Sequence, residues 1–142
     1  MQEPNTKNKA IKVVGGLIIQ EDQLLIAQRR ANADHPLKWE FPGGKIKSHE
    51  SPEQALNREL REELNIKINT FEFLTDYIYE YNILLKKIHL FFYKINSFQG
   101  LVEKKVHQRL KWIEIKDISH YDFLEGDKEL INRINNNEFK FY

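Results

Sequence analysis

Apolar residues recur along this chain in two different spacings, and the change between them predicts strands and helices. The β-branched run from Ile11 to Ile19 is typical of a strand, and its Gly15-Gly16 pair indicates a bulge or a close backbone contact. Four further apolar runs have strand character: Leu24–Arg30 after a turn at 21–23, then Phe71–Tyr81, Lys87–Ile95 and Leu110–Ile115. Strands are therefore predicted on both sides of a central segment that has a different period.

That central segment, residues 51–65, carries the signals of a helix. Ser51 suits the N-cap, Pro52 suits the first helical position, and Gln54 completes a capping box with Ser51. Asn65 favours the left-handed conformation that ends many helices. A stripe of apolar residues four apart is typical of a face that packs on a core: Leu56, Leu60 and Leu64.

The order of these elements predicts the fold class. Strands precede and follow one helix, and a second helix is predicted at Asp127–Asn135. Residues 39–44 are predicted to form a short extended piece that ends in a glycine turn at Gly43-Gly44. We expect an α/β sandwich with a mixed sheet, built as a single domain over residues 10–142 after a flexible polar tail over residues 1–9.

Composition narrows the class of protein. With 142 residues, the chain is long enough for one domain with a substantial hydrophobic core. A net charge of +1 argues against a dedicated nucleic-acid or membrane surface, and the lack of cysteine excludes disulfides and thiolate metal sites. No secretory leader and no membrane-spanning apolar run is visible, so we expect a soluble cytoplasmic protein. As a separate expectation, the protein is a monomer or a homodimer.

Three carboxylates in the predicted helix are the first candidates for chemistry. Glu59, Glu62 and Glu63 are spaced i, i+3 and i+4, which places them on one helix face, away from the leucine stripe. Like charges this close repel one another, and a hard divalent cation that takes oxygen ligands would relieve the repulsion. Arg58 lies four residues before Glu62 and can pair with it or hold a neighbouring carboxylate. A solvated acidic helix face is the alternative interpretation.

The glycine turn before the helix supports the cation site over that alternative. It brings backbone close to the carboxylates, where a carbonyl can become a metal ligand. Lys45 and nearby N–H groups can receive phosphate oxygens. A cation on the three carboxylates can bridge phosphates, activate water and stabilise a leaving oxygen.

Residues 44–66 resemble the Nudix box, G-x5-E-x7-R-E-U-x-E-E-x-G-U, and residues 39–46, WEFPGGKI, resemble its MutT branch. The matching box residues are Gly44, Glu50, Arg58, Glu59, Leu60, Glu62, Glu63 and Ile66. The resemblance implies an α/β/α sandwich and Mg²⁺-dependent or Mn²⁺-dependent hydrolysis of a nucleoside diphosphate linked to another group. For the MutT branch it implies attack on the β-phosphorus of nucleoside triphosphates, which yields the monophosphate and pyrophosphate.

The resemblance also assigns roles by position. It implies that the three helix glutamates hold the metal and that the carbonyl of Gly43 can coordinate it. It implies that Glu50 and Arg58 orient the site through hydrogen bonds and salt bridges. Lys45 matches a residue near the phosphates.

Two positions depart from the family pattern. Asn65 replaces the usual glycine after the helix, which we interpret as structural because asparagine also tolerates the left-handed conformation. Six residues before Trp112, where MutT-like proteins often carry a glutamate, this chain has Val106, and Glu103 is a possible substitute. The histidines show no metal-ligand spacing, so His107 is interpreted as structural or exposed.

Three residues are candidates for contact with the nucleoside. Arg30 and Phe41 resemble positions that contact it in MutT-type proteins, although a surface role for Arg30 and a core role for Phe41 are open alternatives. Asp127, at the start of the last predicted helix, matches a residue that reads the base, and it also suits an N-cap.

The sequence therefore predicts a nucleoside triphosphate pyrophosphohydrolase that cleanses the nucleotide pool, with 8-oxo-dGTP as the first candidate substrate. A CTP-type or dCTP-type substrate is the alternative within this class. A nucleotide-binding module without turnover is the alternative from a different class, and the Val106 departure is its support.

Overall fold

The computed structural model describes residues 10–81 and 86–141, so the tail predicted at 1–9 lies outside the described residues. Within them the chain forms seven strands and two α-helices, with 3₁₀ segments at Ile115–His120 and Glu125–Asp127. In chain order the elements are β1 (Ile11–Gln20), β2 (Gln23–Gln28), β3 (Trp39–Glu40), β4 (Gly43–Lys45), α1 (Pro52–Leu64), β5 (Lys67–Tyr81), β6 (Lys86–Gln99), β7 (Arg109–Ile113) and α2 (Lys128–Asn135).

The strands form one mixed sheet, as the sequence predicted. Its order is β3-β2-β1-β6-β5, with β4 paired to β1 and β7 paired to β2. β1 and β6 run parallel, whereas the other paired strands in the described chain run antiparallel. The long β5–β6 pair extends further than predicted, since β5 begins at Lys67 rather than Phe71 and β6 continues to Gln99 rather than Ile95.

A hydrophobic core lies on each face of the sheet. Side chains alternate along a strand, so neighbouring residues serve opposite faces. One core joins the α1 leucines to the sheet through Val14, Ile18, Leu25, Tyr93 and Ile95. The other joins α2 to the sheet through Leu17, Leu24, Ile26, Leu90 and Phe92. Helices therefore cover both faces of the sheet, which confirms the predicted α/β class.

The Gly15-Gly16 pair in β1 marks a close contact rather than a bulge, which is the second of the two predicted alternatives, and the Gly16 N–H donates to the Pro42 carbonyl at 2.8 Å. Pairing with β6 runs without interruption through both glycines. A Cβ at Gly15 would lie 3.0 Å from the ring of Phe92, and one at Gly16 would lie 3.3 Å from Leu56 Cδ1. The two glycines thus let the two cores close tightly against β1.

The ends of α1 follow the predicted signals. The Ser51 side chain accepts a hydrogen bond from the Gln54 backbone N–H, and the Gln54 side chain accepts one from the Ser51 N–H, at 3.1 and 2.9 Å. At the other end Asn65 adopts a left-handed conformation with φ of 58°. The Asn65 substitution therefore preserves the backbone that a glycine would provide there.

The prediction of a glycine turn before α1 is wrong, because Gly43 and Gly44 lie in a strand. Gly43 is the first residue of strand β4. This strand pairs with β1, with Gly44 opposite Val14 and Gly43 opposite Gly15. A Cβ on Gly43 would collide with the carbonyl oxygen of Val14. Only glycine can therefore lie so close to β1 at this position. The pairing of β4 with β1 places the backbone of Gly43 and Gly44 beside α1.

Candidate active site

Arg58 on α1 connects four predicted site residues. Its Nε and Nη2 donate to the two carboxylate oxygens of Glu50 at 2.6 and 2.8 Å. Its Nη1 donates to Glu59 at 2.9 Å and to Glu62 at 3.4 Å, the predicted i, i+4 pair. Its Nη2 also donates to the Lys45 carbonyl at 3.1 Å, which ties α1 to β4. One guanidinium therefore sets the positions of three carboxylates.

These contacts shift the pKa values of Glu50 and Arg58 in the directions that keep both side chains charged. The hydrogen bonds from Arg58 lower the pKa of Glu50 to about 2. The hydrogen bond to Glu50 raises the pKa of Arg58 above its ordinary value. Glu50 and Arg58 thus remain an ion pair across the physiological range, as a permanent support for the other carboxylates.

Glu63 occupies the most enclosed position of the three helix glutamates. Its Oε2 accepts a hydrogen bond from the Gly43 backbone N–H at 2.9 Å, and its side chain is 12% exposed, compared with 57% for Glu62. Burial, followed by the nearby charges of Glu40 and Glu59, raises the pKa of Glu63 to about 9. Burial also raises the pKa of Glu59. A cation between these carboxylates would offset the cost of ionising them.

The residues present fit a divalent cation. Glu59, Glu62 and Glu63 offer only oxygen atoms, the ligands that Mg²⁺ prefers and Mn²⁺ accepts. A Cβ on Gly44 would lie 2.5 Å from the carboxylate carbon of Glu59. The lack of a side chain at Gly44 is therefore what allows the Glu59 carboxylate to lie against β4.

Two residues that sequence reasoning missed extend this cluster. One oxygen of the Glu40 carboxylate accepts a hydrogen bond from Arg29 Nη1 at 3.1 Å, and the other is hydrogen-bonded to His107 Nε2 at 3.0 Å. His107 Nε2 also lies 4.0 Å from Glu63 Oε1. His107 is buried, which agrees with the structural alternative of its prediction and not with the exposed one. One sequence signal could have indicated that His107 belongs to the site. It directly follows Val106, the position where MutT-like proteins often carry a glutamate.

Glu103, the possible substitute for that carboxylate, has a different position in the structure. Its side chain accepts a hydrogen bond from Asn65 Nδ2 at 3.3 Å, and its backbone N–H donates to the Leu64 carbonyl at 2.9 Å. Glu103 therefore closes the C-terminal end of α1. Val106 is exposed, and its carbonyl accepts a hydrogen bond from Arg30 Nε at 2.6 Å.

Comparison with known proteins shows the family of this chain. Residues 9–134 match the NUDIX domain family. The chain belongs to the Nudix family.

Its relatives share most of their length with this Nudix chain. It is 36% identical over 123 residues to a CTP pyrophosphohydrolase from Escherichia coli K12, covering 87% of this chain and 90% of the relative. It is 35% identical over 134 residues to an 8-oxo-dGTP diphosphatase from Haemophilus influenzae, covering 94% and 97%. These similarities confirm the prediction of a MutT-like Nudix hydrolase.

Solved structures agree on the fold. The solution structure of the Escherichia coli ORF135 protein superposes with a TM-score of 0.80 at 34% identity, covering 93% of each chain. A MutT structure from a study of Aliivibrio salmonicida and Vibrio cholerae superposes with a TM-score of 0.75 at 27% identity, covering 89% of this chain and 97% of that one.

Among the described residues, no helix is both long and apolar enough to cross a membrane.

The nucleoside candidates of this Nudix chain take different positions. Phe41 is buried between Phe92 and Phe123, at ring-centroid distances of 5.8 and 5.1 Å, so its core role is confirmed. The side chains of Arg30 and Lys45 are exposed. Contact of any of them with a nucleotide stays a prediction.

Asp127 occupies the N-cap position of α2, as predicted, but its side chain does not cap the helix. It precedes the helix with an αR backbone, and its side chain makes no capping hydrogen bond. The capping hydrogen bond does not form because a 3₁₀ turn at Glu125–Asp127 leads into α2 and turns this side chain inward, and the residue is only 6% exposed. Burial, followed by the charge of Glu40, raises the pKa of Asp127 well above its ordinary value.

Proposed function

We propose that this protein hydrolyses (deoxy)nucleoside triphosphates to the monophosphate and pyrophosphate in the presence of Mg²⁺ or Mn²⁺. 8-oxo-dGTP is the first candidate substrate and CTP or dCTP the alternative, in line with the activities named for its Haemophilus influenzae and Escherichia coli relatives. We expect it to act in the cytoplasm on free nucleotides rather than on a nucleic-acid polymer. Its oligomeric state is proposed to be a monomer or a homodimer.

The observation that supports this proposal best is the carboxylate cluster organised by Arg58. Glu59 and Glu62 accept from one guanidinium, and Glu63 accepts from the backbone of β4. We propose that these three glutamates hold the cation, with the carbonyl of Gly43 as a further ligand. A divalent cation at such a site neutralises phosphate charge and lowers the pKa of a bound water.

The other residues of the site are proposed to position the reactants. Glu50 fixes Arg58, and Arg58 in turn prevents the glutamates from turning away from β4. The exposed ammonium of Lys45 is free to approach phosphate oxygens, and Arg30, which follows β2, is proposed to contact the phosphate or the base edge. Phe41 contributes a hydrophobic wall.

Asp127 is proposed to read the base. Its raised pKa favours the protonated acid, which has both an O–H donor and an acceptor oxygen. Such a group can pair with a base edge that offers an acceptor beside a donor. Because Asp127 lies close enough to Glu40 for the charge of Glu40 to raise its pKa, this reading would take place beside the carboxylate cluster.

A nucleotide-binding role without turnover is the second candidate. It is favoured by one observation, the exposed Val106 at a position where a carboxylate is common in the branch it resembles. The three helix glutamates and Arg58 argue for turnover.

The deciding experiment measures pyrophosphate and phosphate release from a panel of NTPs and dNTPs that includes 8-oxo-dGTP and methylated cytosine forms. We expect pyrophosphate release that requires Mg²⁺, stops in EDTA and prefers one base. Glu62→Gln and Glu63→Gln should each lower turnover by orders of magnitude while the circular dichroism spectrum is unchanged. No release by the folded wild-type protein, combined with nucleotide binding, would support the binding-module role instead.

A further inference from the structure

His107 is the most enclosed polar side chain beside the carboxylate cluster. Ligand atoms of Glu40, Glu63 and His107 all lie within 4.8 Å of one another. The His107 side chain is 4% exposed, and its Nδ1 has no hydrogen-bond partner among the described residues. A buried polar atom without a partner is uncommon and needs a physical explanation.

The position of this histidine is determined by the backbone around it. The Lys105 N–H donates to the Glu63 carbonyl at 3.4 Å, and the Gln108 N–H donates to the Gln28 carbonyl at 2.8 Å. The chain on either side of His107 is therefore attached to α1 and to β2. The imidazole is held between two elements of the site before any ligand arrives.

The unpartnered Nδ1 distinguishes two possible roles of the ring. If Nε2 were a metal ligand, the ring proton would move to Nδ1, where no described residue accepts it, and buried N–H groups without acceptors are rare. Metal-ligating histidines almost always donate from their second nitrogen. If Nε2 instead carries the proton, it donates to Glu40 and leaves only a lone pair on Nδ1. The geometry thus favours a donor over a ligand.

The partner of that donor is held from both sides. Glu40 Oε1 accepts from Arg29, and Glu40 Oε2 accepts from His107. Both oxygens of Glu40 are therefore engaged by the protein, whereas Glu63 Oε1 has no donor closer than His107 Nε2 at 4.0 Å among the contacts described. Glu40 is left as a fixed negative charge beside a glutamate that can turn to a cation.

We propose that His107 is a positioning residue which, together with Arg29, holds the Glu40 side chain in place outside the coordination shell, and so raises the affinity of the Glu63 centre for a divalent cation. This role rests on the proposed function of Glu63 as a metal ligand. Without the Nε2–H donor, one oxygen of the half-buried Glu40 carboxylate loses its hydrogen bond and the side chain can turn away from Glu63, so the local attraction for a cation weakens.

The test is the affinity for Mn²⁺ alone, measured by the loss of the free-ion electron paramagnetic resonance signal without nucleotide. His107→Ala should weaken Mn²⁺ binding about 10-fold. His107→Gln, whose amide nitrogen can replace Nε2 as the donor, should recover most of the affinity. His89→Ala is the matched control, because it removes a histidine that also pairs with a carboxylate, Asp76, at 2.6 Å on β5 and β6. This control should bind Mn²⁺ as the wild type does.

A double-variant cycle shows whether His107 acts through Glu40. Glu40→Gln should weaken Mn²⁺ binding, and adding His107→Ala to it should cause no further loss. Independent losses, a His107→Gln variant as weak as His107→Ala, or unchanged affinity in folded His107→Ala would each overturn the proposal. Nitrogen-15 chemical shifts that place the proton on Nδ1 in the Mg²⁺ complex would overturn it too, in favour of His107 as a ligand.

Because Mn²⁺ binding is measured without substrate, this test is separate from the proposed activity. Wild-type protein that binds Mn²⁺ but releases no pyrophosphate would contradict the proposed function and leave the His107 comparison intact.

Discussion

Arg58 shows how much a single side chain can organise. A guanidinium has five N–H donors in a fixed plane, and here it divides them among Glu50, Glu59, Glu62 and the Lys45 carbonyl. A lysine has one ammonium group and cannot hold three carboxylates and a carbonyl in this geometry. The arginine in the motif is therefore explained by the contacts it makes.

Glu63→Gln should stabilise the metal-free protein while it removes activity. A carboxyl whose folded-state pKa is raised from 4.5 to about 9 contributes stability below pH 4.5, and this stability is lost as the pH rises toward 9. At pH 7 the substitution should therefore raise the free energy of unfolding in EDTA by about 2–3 kcal/mol, with a larger gain at pH 9 than at pH 5. Thermal unfolding across this range is the measurement. Glu62→Gln, at an exposed carboxylate, is the control and should change stability little; equal effects of the two variants would contradict the burial argument.

Asp127→Ala should change the choice of base rather than the requirement for metal. Since the carboxyl is buried and makes no helix cap, its removal should alter the ratio of kcat/KM values between nucleotides while the Mg²⁺ activation midpoint stays constant. Steady-state kinetics on two purine and two pyrimidine triphosphates is the measurement. A uniform loss for all four would indicate a structural role.

At the scale of elements, α1 and β4 form one unit. Helix α1 buries its leucines on the sheet and turns its carboxylates toward the glycine strand, whose backbone lies close because Gly43 and Gly44 have no side chains. The strand contributes the Gly43 N–H to Glu63 and the Lys45 carbonyl to Arg58. The geometry of the carboxylates thus depends on how closely two elements approach.

Gly44→Ala should separate these elements. The added Cβ would lie 2.5 Å from the Glu59 carboxylate carbon, which must move. We expect a loss of about 1–3 kcal/mol in stability, together with a higher Mg²⁺ activation midpoint, measured by thermal unfolding and by titration of activity. Gly16→Ala is the matched control on β1, where the nearest atom, at 3.3 Å, is the flexible Leu56 Cδ1. Its Mg²⁺ midpoint should stay at the wild-type value, and a similar rise in both variants would contradict the proposed cause.

At the scale of the whole molecule, the sheet assembles the site from distant segments. Gln28 on β2 is paired with Trp39 on one side and with Arg109 on the other. Glu40 directly follows Trp39, and His107 lies two residues before Arg109. The strand order therefore brings Glu40 and His107 together although they are 67 positions apart in sequence. Site formation and folding of the sheet are therefore coupled.

This coupling predicts that Mg²⁺ stabilises the folded protein in a pH-dependent way. At a concentration about 100 times the dissociation constant, binding adds about 2.7 kcal/mol, a rise in Tm on the order of 10 °C. The rise should grow from pH 6 to pH 9, because Glu63 must lose its proton to bind a cation. Differential scanning calorimetry with Mg²⁺ and with EDTA measures it. A shift independent of pH would exclude Glu63 as a ligand.

Sequence alone determined the features that arise from local physics. The period of the leucines, the Ser51–Gln54 capping box, the left-handed Asn65 and the spacing of three glutamates depend on residues within a few turns of one helix. The family resemblance, which rests on the same contiguous stretch, was equally visible. Strand positions followed from apolar patterning, although their ends did not, because pairing partners decide where a strand stops.

Only the tertiary structure decided which polar groups are buried and which of them meet. The extended form of Gly43, the inward position of Asp127 and the contact of His107 with Glu40 each depend on strand pairing or on packing between segments far apart in the chain. Burial then set the charge state, since the same carboxyl that is ordinary in water resists ionisation when a sheet and a helix enclose it. The spacing of residues in the sequence does not show how deeply a carboxyl will be buried.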